Sequence, residues 1–191
     1  MKHIIFIVGS FRKESFNRRL AKITEDMLKD RFKISYLDFE NIPYMNQDLE
    51  FSTANSQCST VSSQSINNIR QEIKNCDGIW IFTPEYNHSY PGLLKNLFDW
   101  LSRPMDISNF ANPTAVQGKK VTASGAGGKN KTKSCREKLN ELLEYIKMDV
   151  MKEPQVGIEL GMEAWVKGEF HLTEEQMKEL KEQADRFAEF I

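Results

Sequence analysis

Two polar segments carry the residues that could do chemistry, and the first is GSFRKESFN, residues 9–17. Ser10, Ser15 and Asn17 could donate side-chain hydrogen bonds, and Arg12 adds a fixed cation. A helix that starts at this point would add unpaired backbone amides and a partial positive charge. The segment has neither the GxxxxGK[ST] pattern of a P-loop nor the GxGxxG dinucleotide pattern. It therefore suits a terminal phosphate better than a buried pyrophosphate, although an ordinary capped helix explains these residues equally well.

The second segment, residues 83–92, combines two tyrosines, Asn87 and His88 between the prolines Pro84 and Pro91. Backbone amides and carbonyls of so rigid a loop could bind the polar edge of a planar heterocycle. A turn with surface tyrosines is the alternative. We do not expect Glu85 and His88 to act as an acid and a base, because such groups in adjacent loop positions are usually solvated.

A third segment, GAGG at residues 125–128, follows Ser124 and is predicted to be a loop. Its glycines would let the backbone approach a flat ligand closely, or would simply make the turn into a helix. The lysines at positions 129, 131 and 133 come next. They are typical of a solvated helix start, but they could also receive a nucleotide phosphate.

Strand and helix patterns alternate along the chain and predict the elements that would position these segments. Apolar runs predict five strands, near residues 2–8, 34–37, 79–82, 121–124 and 148–151. Helical spacing follows most of them, and Ser15 is placed to be the N-cap of the first helix. Thr173 with Gln176 forms a capping-box pattern at the start of the last helix, and residues 42–45 are predicted to be a short extended piece. The alternation favours an α/β fold, with a doubly wound five-stranded parallel sheet that has helices on both faces. In a flavodoxin-like order, 2-1-3-4-5, all three segments lie at one edge of the sheet.

Composition sets the broader limits. A chain of 191 residues fits a single domain, residues 1–191, and a net charge of −1 argues against a general role on nucleic acid or on membranes. The sequence has no signal-peptide or membrane-spanning run, so we expect a cytoplasmic location. Three cysteines without CxxC spacing indicate free thiols, and three scattered histidines make no case for a metal. Residues 51–65 are nearly all small and polar, as in a linker or a flap over a site.

The two polar segments together resemble a known family. GSFRKESFN matches the pattern G-S-x-R-x-x-S-x-N, and PEYNHSYPGLLKNLFDW matches P-E-Y-N-x-S-x-P-G-x-L-K-N-x-x-D-W. Both belong to the NAD(P)H-dependent FMN reductase family, a flavodoxin-like group that includes quinone, chromate and azo-dye reductases. The resemblance extends over residues 2–160, and it implies a flavoprotein oxidoreductase.

The resemblance also implies cofactors and site residues. It implies bound FMN, with NADPH or NADH as co-substrate, a small-molecule electron acceptor, no metal, no catalytic side chain and ping-pong turnover. Family members are dimers or tetramers, so we expect a homodimer or homotetramer with helix 93–101 at the contact. The alternatives are a flavodoxin-type electron carrier without its own NAD(P)H reaction, or a reductase for one specific substrate. The residues implied to bind the cofactor are Ser10, Arg12, Ser15, Phe16, Asn17, Pro84, Glu85, Tyr86, Asn87, Ser124 and Gly125.

Overall fold

The computed structural model describes residues 1–49, 61–106 and 108–191. Six strands and six longer helices build the fold of this part of the chain, and residues 47–49 are also helical. In chain order they are β1 (His3–Val8), α1 (Phe16–Leu28), β2 (Lys33–Tyr36), α2 (Val61–Asn75), β3 (Gly78–Phe82), α3 (Gly92–Leu101), β4 (Lys120–Gly127), α4 (Lys133–Tyr145), β5 (Asp149–Val150), β6 (Gly157–Glu159), α5 (Met162–Lys167) and α6 (Glu174–Phe190).

The strands form one parallel sheet in the order β2-β1-β3-β4-β5, which confirms the predicted flavodoxin-like topology. Each of the three central strands is aligned with its neighbours, so that Ile5 lies beside Ile79 and Ile79 beside Val121. The sixth strand was not predicted. It pairs with the far end of β4, where Gly125 lies beside Gly157. β4 therefore extends beyond the end of β3 and forms a wall above the edge where β1 and β3 stop.

Alternation along β1 builds two separate cores, one on each face of the sheet. Ile5 and Ile7 pack on the face covered by α2, α3 and α4, in a cluster that includes Leu97. Ile4, Phe6 and Val8 pack on the opposite face, against α1 and α6. The continuous apolar run of β1 is thus explained by burial on both sides, as the sequence predicted.

The end of β4 corrects one expectation. Residues 125–127 were predicted as loop, but they continue the strand because their backbone pairs with β6. The Gly125 amide donates to the carbonyl of Val156 at 3.0 Å, and the Leu160 amide donates to the carbonyl of Gly127 at 2.8 Å. Glycine is a poor strand former, and only a partner distant in sequence makes these residues extended.

Part of the predicted polar loop at residues 51–65 also differs from expectation. Residues 51–60 lie outside the described residues, and residues 61–65 form the first turns of α2 rather than loop. Residues 42–45 form no strand. They are held against α3, where the indole of Trp100 and the amide of Asn96 both donate to the carbonyl of Pro43 at 2.9 Å.

This contact also bears on α3, whose apolar residues suggested a subunit contact. Leu94, Leu97, Phe98, Trp100 and Leu101 are all buried within the chain itself. The core and the 42–45 segment account for their burial. The subunit contact stays a prediction.

The last helix, α6, begins as the sequence predicted. Thr173 and Gln176 form a capping box, in which the Thr173 hydroxyl accepts from the Gln176 amide and the Gln176 side chain accepts from the Thr173 amide. Leu180, Ala184 and Phe187 are buried on one face of α6. None of the helices in the described ranges combines the length and the apolar character needed to cross a bilayer.

Candidate functional site

Backbone hydrogen bonds bring the three polar segments together at the carboxyl edge of the sheet. The Gly9 amide donates to the carbonyl of Phe82 at 2.7 Å, and the Thr83 amide donates to the carbonyl of Ser124 at 2.9 Å. The segments that begin at residues 9, 83 and 125 therefore leave the sheet side by side. This is the crevice where open parallel sheets bind ligands.

The first segment presents a set of unpaired hydrogen-bond donors. Ser10 and Ser15 are 6% and 3% exposed, and neither hydroxyl makes a hydrogen bond to another described residue. Ser15 is the N-cap of the 13-residue helix α1, as predicted, but it makes no side-chain cap bond. The first amides of α1, at Phe16 and Asn17, cannot bond within the helix. Hydroxyls, helix-start amides and partial positive charge together match a phosphate monoester.

Arg12 lies beside this donor set. It is exposed, its guanidinium carbon lies 4.9 Å from the centroid of the Phe16 ring, and it donates to the carbonyl of Glu14. The Phe16 ring itself is buried and packs against Trp165 and Phe170, with centroids 6.3 and 5.7 Å away. Phe16 therefore contributes its backbone amide and a platform for Arg12, since its side chain belongs to the core.

The side chain of Asn17 is committed to the fold. Its Nδ2 donates to the carbonyl of Ala126 at 3.1 Å, and its Oδ1 accepts from the Ala126 amide at 2.8 Å. Asn17 is 3% exposed and joins the start of α1 to the extension of β4. The structure thus places the Asn17 side chain in a link between elements, and only its backbone amide at the helix start faces the donor set.

The second segment forms a tight two-residue turn. The amides and carbonyls of Tyr86 and Ser89 exchange two hydrogen bonds of 3.0 Å, and Asn87 and His88 between them have φ values of 52° and 58°. These values identify a type I′ turn, which holds its residues in a left-handed conformation that side chains other than Asn and Asp rarely adopt. Tyr86 is 53% exposed. The amides of Glu85 and Asn87 have no hydrogen-bond partner among the residues described, so they can bond a ligand edge.

The carbonyl of Pro84 is held from behind. The Thr83 hydroxyl donates to it at 2.9 Å, and the Cys135 thiol donates to it at 3.4 Å. The same hydroxyl and thiol lie 3.5 Å apart. Burial raises the pKa of the Cys135 thiol to about 11, so it is a neutral donor at neutral pH.

Two of the predicted site residues, Ser124 and Gly125, have close contacts with the protein itself. The Ser124 side chain faces the core, where its hydroxyl accepts from the indole of Trp80 at 3.0 Å and donates to Gln183 at 2.8 Å. Gly125 faces the protein rather than a ligand, because a side chain at this position would overlap Thr132 and the carbonyl of Thr83. The side chain of Ser124 thus bonds within the core, and a contact of either residue with a cofactor stays a prediction.

Several residues of the site were not predicted from the sequence. Thr83, Asn130, Thr132 and Cys135 surround the second segment from behind. Thr132 has a φ of 56°, and its buried hydroxyl has no hydrogen-bond partner in the described part of the chain. Asn130, Thr132 and Cys135 follow the predicted glycine loop, and Thr83 directly precedes Pro84. These positions gave no reason to favour the four residues.

Across residues 1–49, 61–106 and 108–191, no group of three or more His, Cys, Asp or Glu side chains could hold a metal ion. The donors at residues 10–17 and the free amides at 85 and 87 instead fit an organic ligand that has a phosphate at one end and a flat polar ring at the other. A flavin mononucleotide has this chemistry.

Comparison with known proteins agrees with this description. The sequence profile of a family described as NADPH-dependent FMN reductase matches residues 2–163. A 2-hydroxy-1,4-benzoquinone reductase from Burkholderia sp is 33% identical over 156 residues, which are 81% of this chain and 77% of the relative. A quinone reductase from Pseudomonas putida is 28% identical over 189 residues, 98% of this chain and 94% of the relative.

A solved structure is also similar. The flavoenzyme NAD(P)H:(acceptor) oxidoreductase FerB from Paracoccus denitrificans superposes with a TM-score of 0.82 and 26% identity. The match covers 99% of this chain and 96% of that one.

Proposed function

Because the chain belongs to the NADPH-dependent FMN reductase family, we propose that it uses NADPH or NADH to reduce FMN and passes the electrons to a small-molecule acceptor. The observation that carries this proposal is the set of unpaired donors at residues 10–17, beside a rigid turn whose amides at residues 85 and 87 are free. FMN, when bound, would supply the two-electron redox chemistry between the nicotinamide and the acceptor.

The chain's own residues would bind FMN and orient it. The hydroxyls of Ser10 and Ser15, the first amides of α1 and the Arg12 guanidinium would hold the phosphate. The backbone of residues 84–87 would bond the polar edge of the ring, and Tyr86 would cover apolar area beside it. No side chain is needed as an acid or a base, because orientation alone brings nicotinamide and flavin together.

The finer parts of the proposal rest on the family and on the relatives. Two of the relatives are named as quinone reductases, so a quinone is the acceptor that we propose first, with free flavin, azo compounds and metal oxyanions as others. Both substrates would use the same face of the ring, which gives ping-pong turnover. We infer likewise that residues 1–191 act as a single domain, that the protein is a cytoplasmic homodimer or homotetramer, and that it binds neither nucleic acid nor membranes.

The first test is the visible absorption spectrum of the purified protein after mixing with FMN and desalting. We expect the two bands of bound oxidised flavin, and we expect anaerobic NADPH or NADH to bleach them. A colourless protein would contradict FMN binding. Bands that persist in the presence of both coenzymes would indicate an electron carrier of the flavodoxin type instead.

Substitution of Arg12 tests the phosphate end. We expect Arg12→Ala to raise the FMN dissociation constant about tenfold to a hundredfold, the value of one hydrogen bond to a charged group. Lys13→Ala, the neighbouring exposed cation, is the matched control and should leave the constant unchanged. Equal affinities for Arg12→Ala and the unaltered protein would place the phosphate elsewhere.

A further inference from the structure

The carboxylate of Glu85 is bound at the start of a neighbouring helix. Its Oε2 accepts from the backbone amide of Cys135 at 2.9 Å, and both of its oxygens accept from the Asn130 side chain, at 2.9 and 3.1 Å. Cys135 is the third residue of α4, whose amide lacks a partner within the helix. The Glu85 side chain is only 11% exposed. It therefore occupies the position that an N-cap side chain normally takes.

Helix α4 does not cap itself. Its own N-cap residue, Thr132, has a left-handed backbone and makes no side-chain cap hydrogen bond. The first turn of α4 contains no acidic residue. Glu85 thus supplies the acceptor and the negative charge that the start of this 13-residue helix would otherwise lack.

The same helix turn also holds the residue before Glu85. The Cys135 thiol donates to the carbonyl of Pro84, and the Cys135 amide donates to the carboxylate of Glu85. Two consecutive residues of the flavin-facing segment are therefore attached to one residue of α4. The backbone amides of Glu85 and Asn87 have no hydrogen-bond partner among the described residues, so this doubly attached segment still offers them to a ligand.

From this geometry we infer that Glu85 is a positioning residue, which caps α4 from the neighbouring loop and so fixes the backbone of residues 84–87 where it meets the flavin. The inference rests on the proposed function for its ligand, whereas the cap itself is independent of it. It assigns to Glu85 a role that needs no contact between its side chain and the cofactor.

The surroundings of Glu85 keep it ionised. Burial by itself would raise the pKa of this carboxyl, but the hydrogen bonds from Asn130 and from the Cys135 amide outweigh burial and hold the pKa below its ordinary value. His88 lies 3.5 Å away and Lys138 adds a weaker attraction. A charged acceptor is thus available to α4 throughout the neutral range.

Glu85→Gln is the test variant, because it keeps the size of the side chain and removes the charge. Glu137→Gln, an exposed glutamate on the same helix, is the matched control. Asn130→Ala, at an exposed position, weakens the same cap without changing Glu85 and serves if Glu85→Gln does not fold. Three quantities are measured: hydrogen exchange of the Cys135 amide in the FMN-free protein, the FMN dissociation constant, and the midpoint potential of bound FMN.

We expect Glu85→Gln to speed exchange of the Cys135 amide and to raise the FMN dissociation constant about fivefold to tenfold, the effect of one lost cap. The midpoint potential should shift, because the amides that meet the ring move. Asn130→Ala should change all three in the same direction by less, and Glu137→Gln should change none.

Faster exchange with an unchanged dissociation constant and potential would overturn the positioning role and leave only a structural cap. Unchanged exchange would overturn the cap. If the unaltered protein bound no FMN, the proposed function would fail together with the positioning role, while the exchange data would still report on the cap.

Discussion

Removing the side chain of Asn17 should destabilise the protein, although Asn17 lies in the segment proposed to bind phosphate. Asn17→Ala leaves the amide and the carbonyl of Ala126 without partners, and Ala126 is 2% exposed. Each buried backbone group left unpaired costs about 1–3 kcal/mol. We therefore expect the free energy of unfolding to fall by about 2–5 kcal/mol and the melting temperature of a chain of this size to fall by roughly 4–20 °C.

Ser15→Ala is the comparison that makes this prediction sharp. Replacement of an N-cap serine usually costs about 1 kcal/mol, but the Ser15 hydroxyl makes no cap hydrogen bond here. Ser15→Ala should therefore change the stability of the FMN-free protein by less than about 0.5 kcal/mol while weakening FMN binding. Urea unfolding of the FMN-free proteins, followed by circular dichroism, measures the stability of both variants. Asn17→Ala could lower the free energy of unfolding by less than about 1 kcal/mol, or Ser15→Ala could lower it as much as Asn17→Ala does. Either result would refute the reasoning that the Asn17 side chain serves the fold and the Ser15 hydroxyl serves the ligand.

Three further predictions concern the support behind the site. Gly125→Ala should cost about 1–3 kcal/mol in urea unfolding because the new methyl overlaps two oxygen atoms, whereas Gly128→Ala meets open space and should be neutral. Gln183→Ala breaks four buried hydrogen bonds and should lower the free energy of unfolding by about 3 kcal/mol or more. The exposed substitution Glu182→Ala should change it by no more than about 0.5 kcal/mol. The raised pKa of Cys135 stabilises the fold fully below the unfolded thiol's pKa of about 8.5. The free energy of unfolding should therefore fall as pH rises toward about 11, less steeply in Cys135→Ala.

The alternation of strands and helices and the two faces of the core were predictable from the sequence because they depend on local patterns, whereas the strand order followed from the flavodoxin-like class. The run from Ile4 to Val8 is apolar at every position, which requires burial on both sides. The capping box at Thr173 is equally local, since both partners lie within one helical turn. The residue types and spacing within such motifs are enough to predict the local structure.

What the sequence did not reveal depends on partners far away along the chain. Asn17 bonds to Ala126, 109 residues later, and Ser124 bonds to Gln183, 59 residues later. A polar residue in a motif suggests that its side chain binds a ligand. Only the packed structure shows that the side chain already bonds to another part of the chain. The continuation of β4 through three glycine-rich positions likewise required β6, which is three residues long and has no pattern of its own.

The long-range bonds of Gln183 have a consequence for the order in which the protein is built. Gln183 bonds to Thr122, Ala123 and Ser124, which leave the ribosome some 60 residues earlier. At synthesis rates of about 5–20 residues per second, that delay lasts roughly 3–12 s. During this interval Thr122, Ala123 and Ser124 have been synthesised, but their hydrogen-bond partner Gln183 has not. β4, which borders the proposed flavin crevice, therefore gains these hydrogen bonds only when α6 has docked.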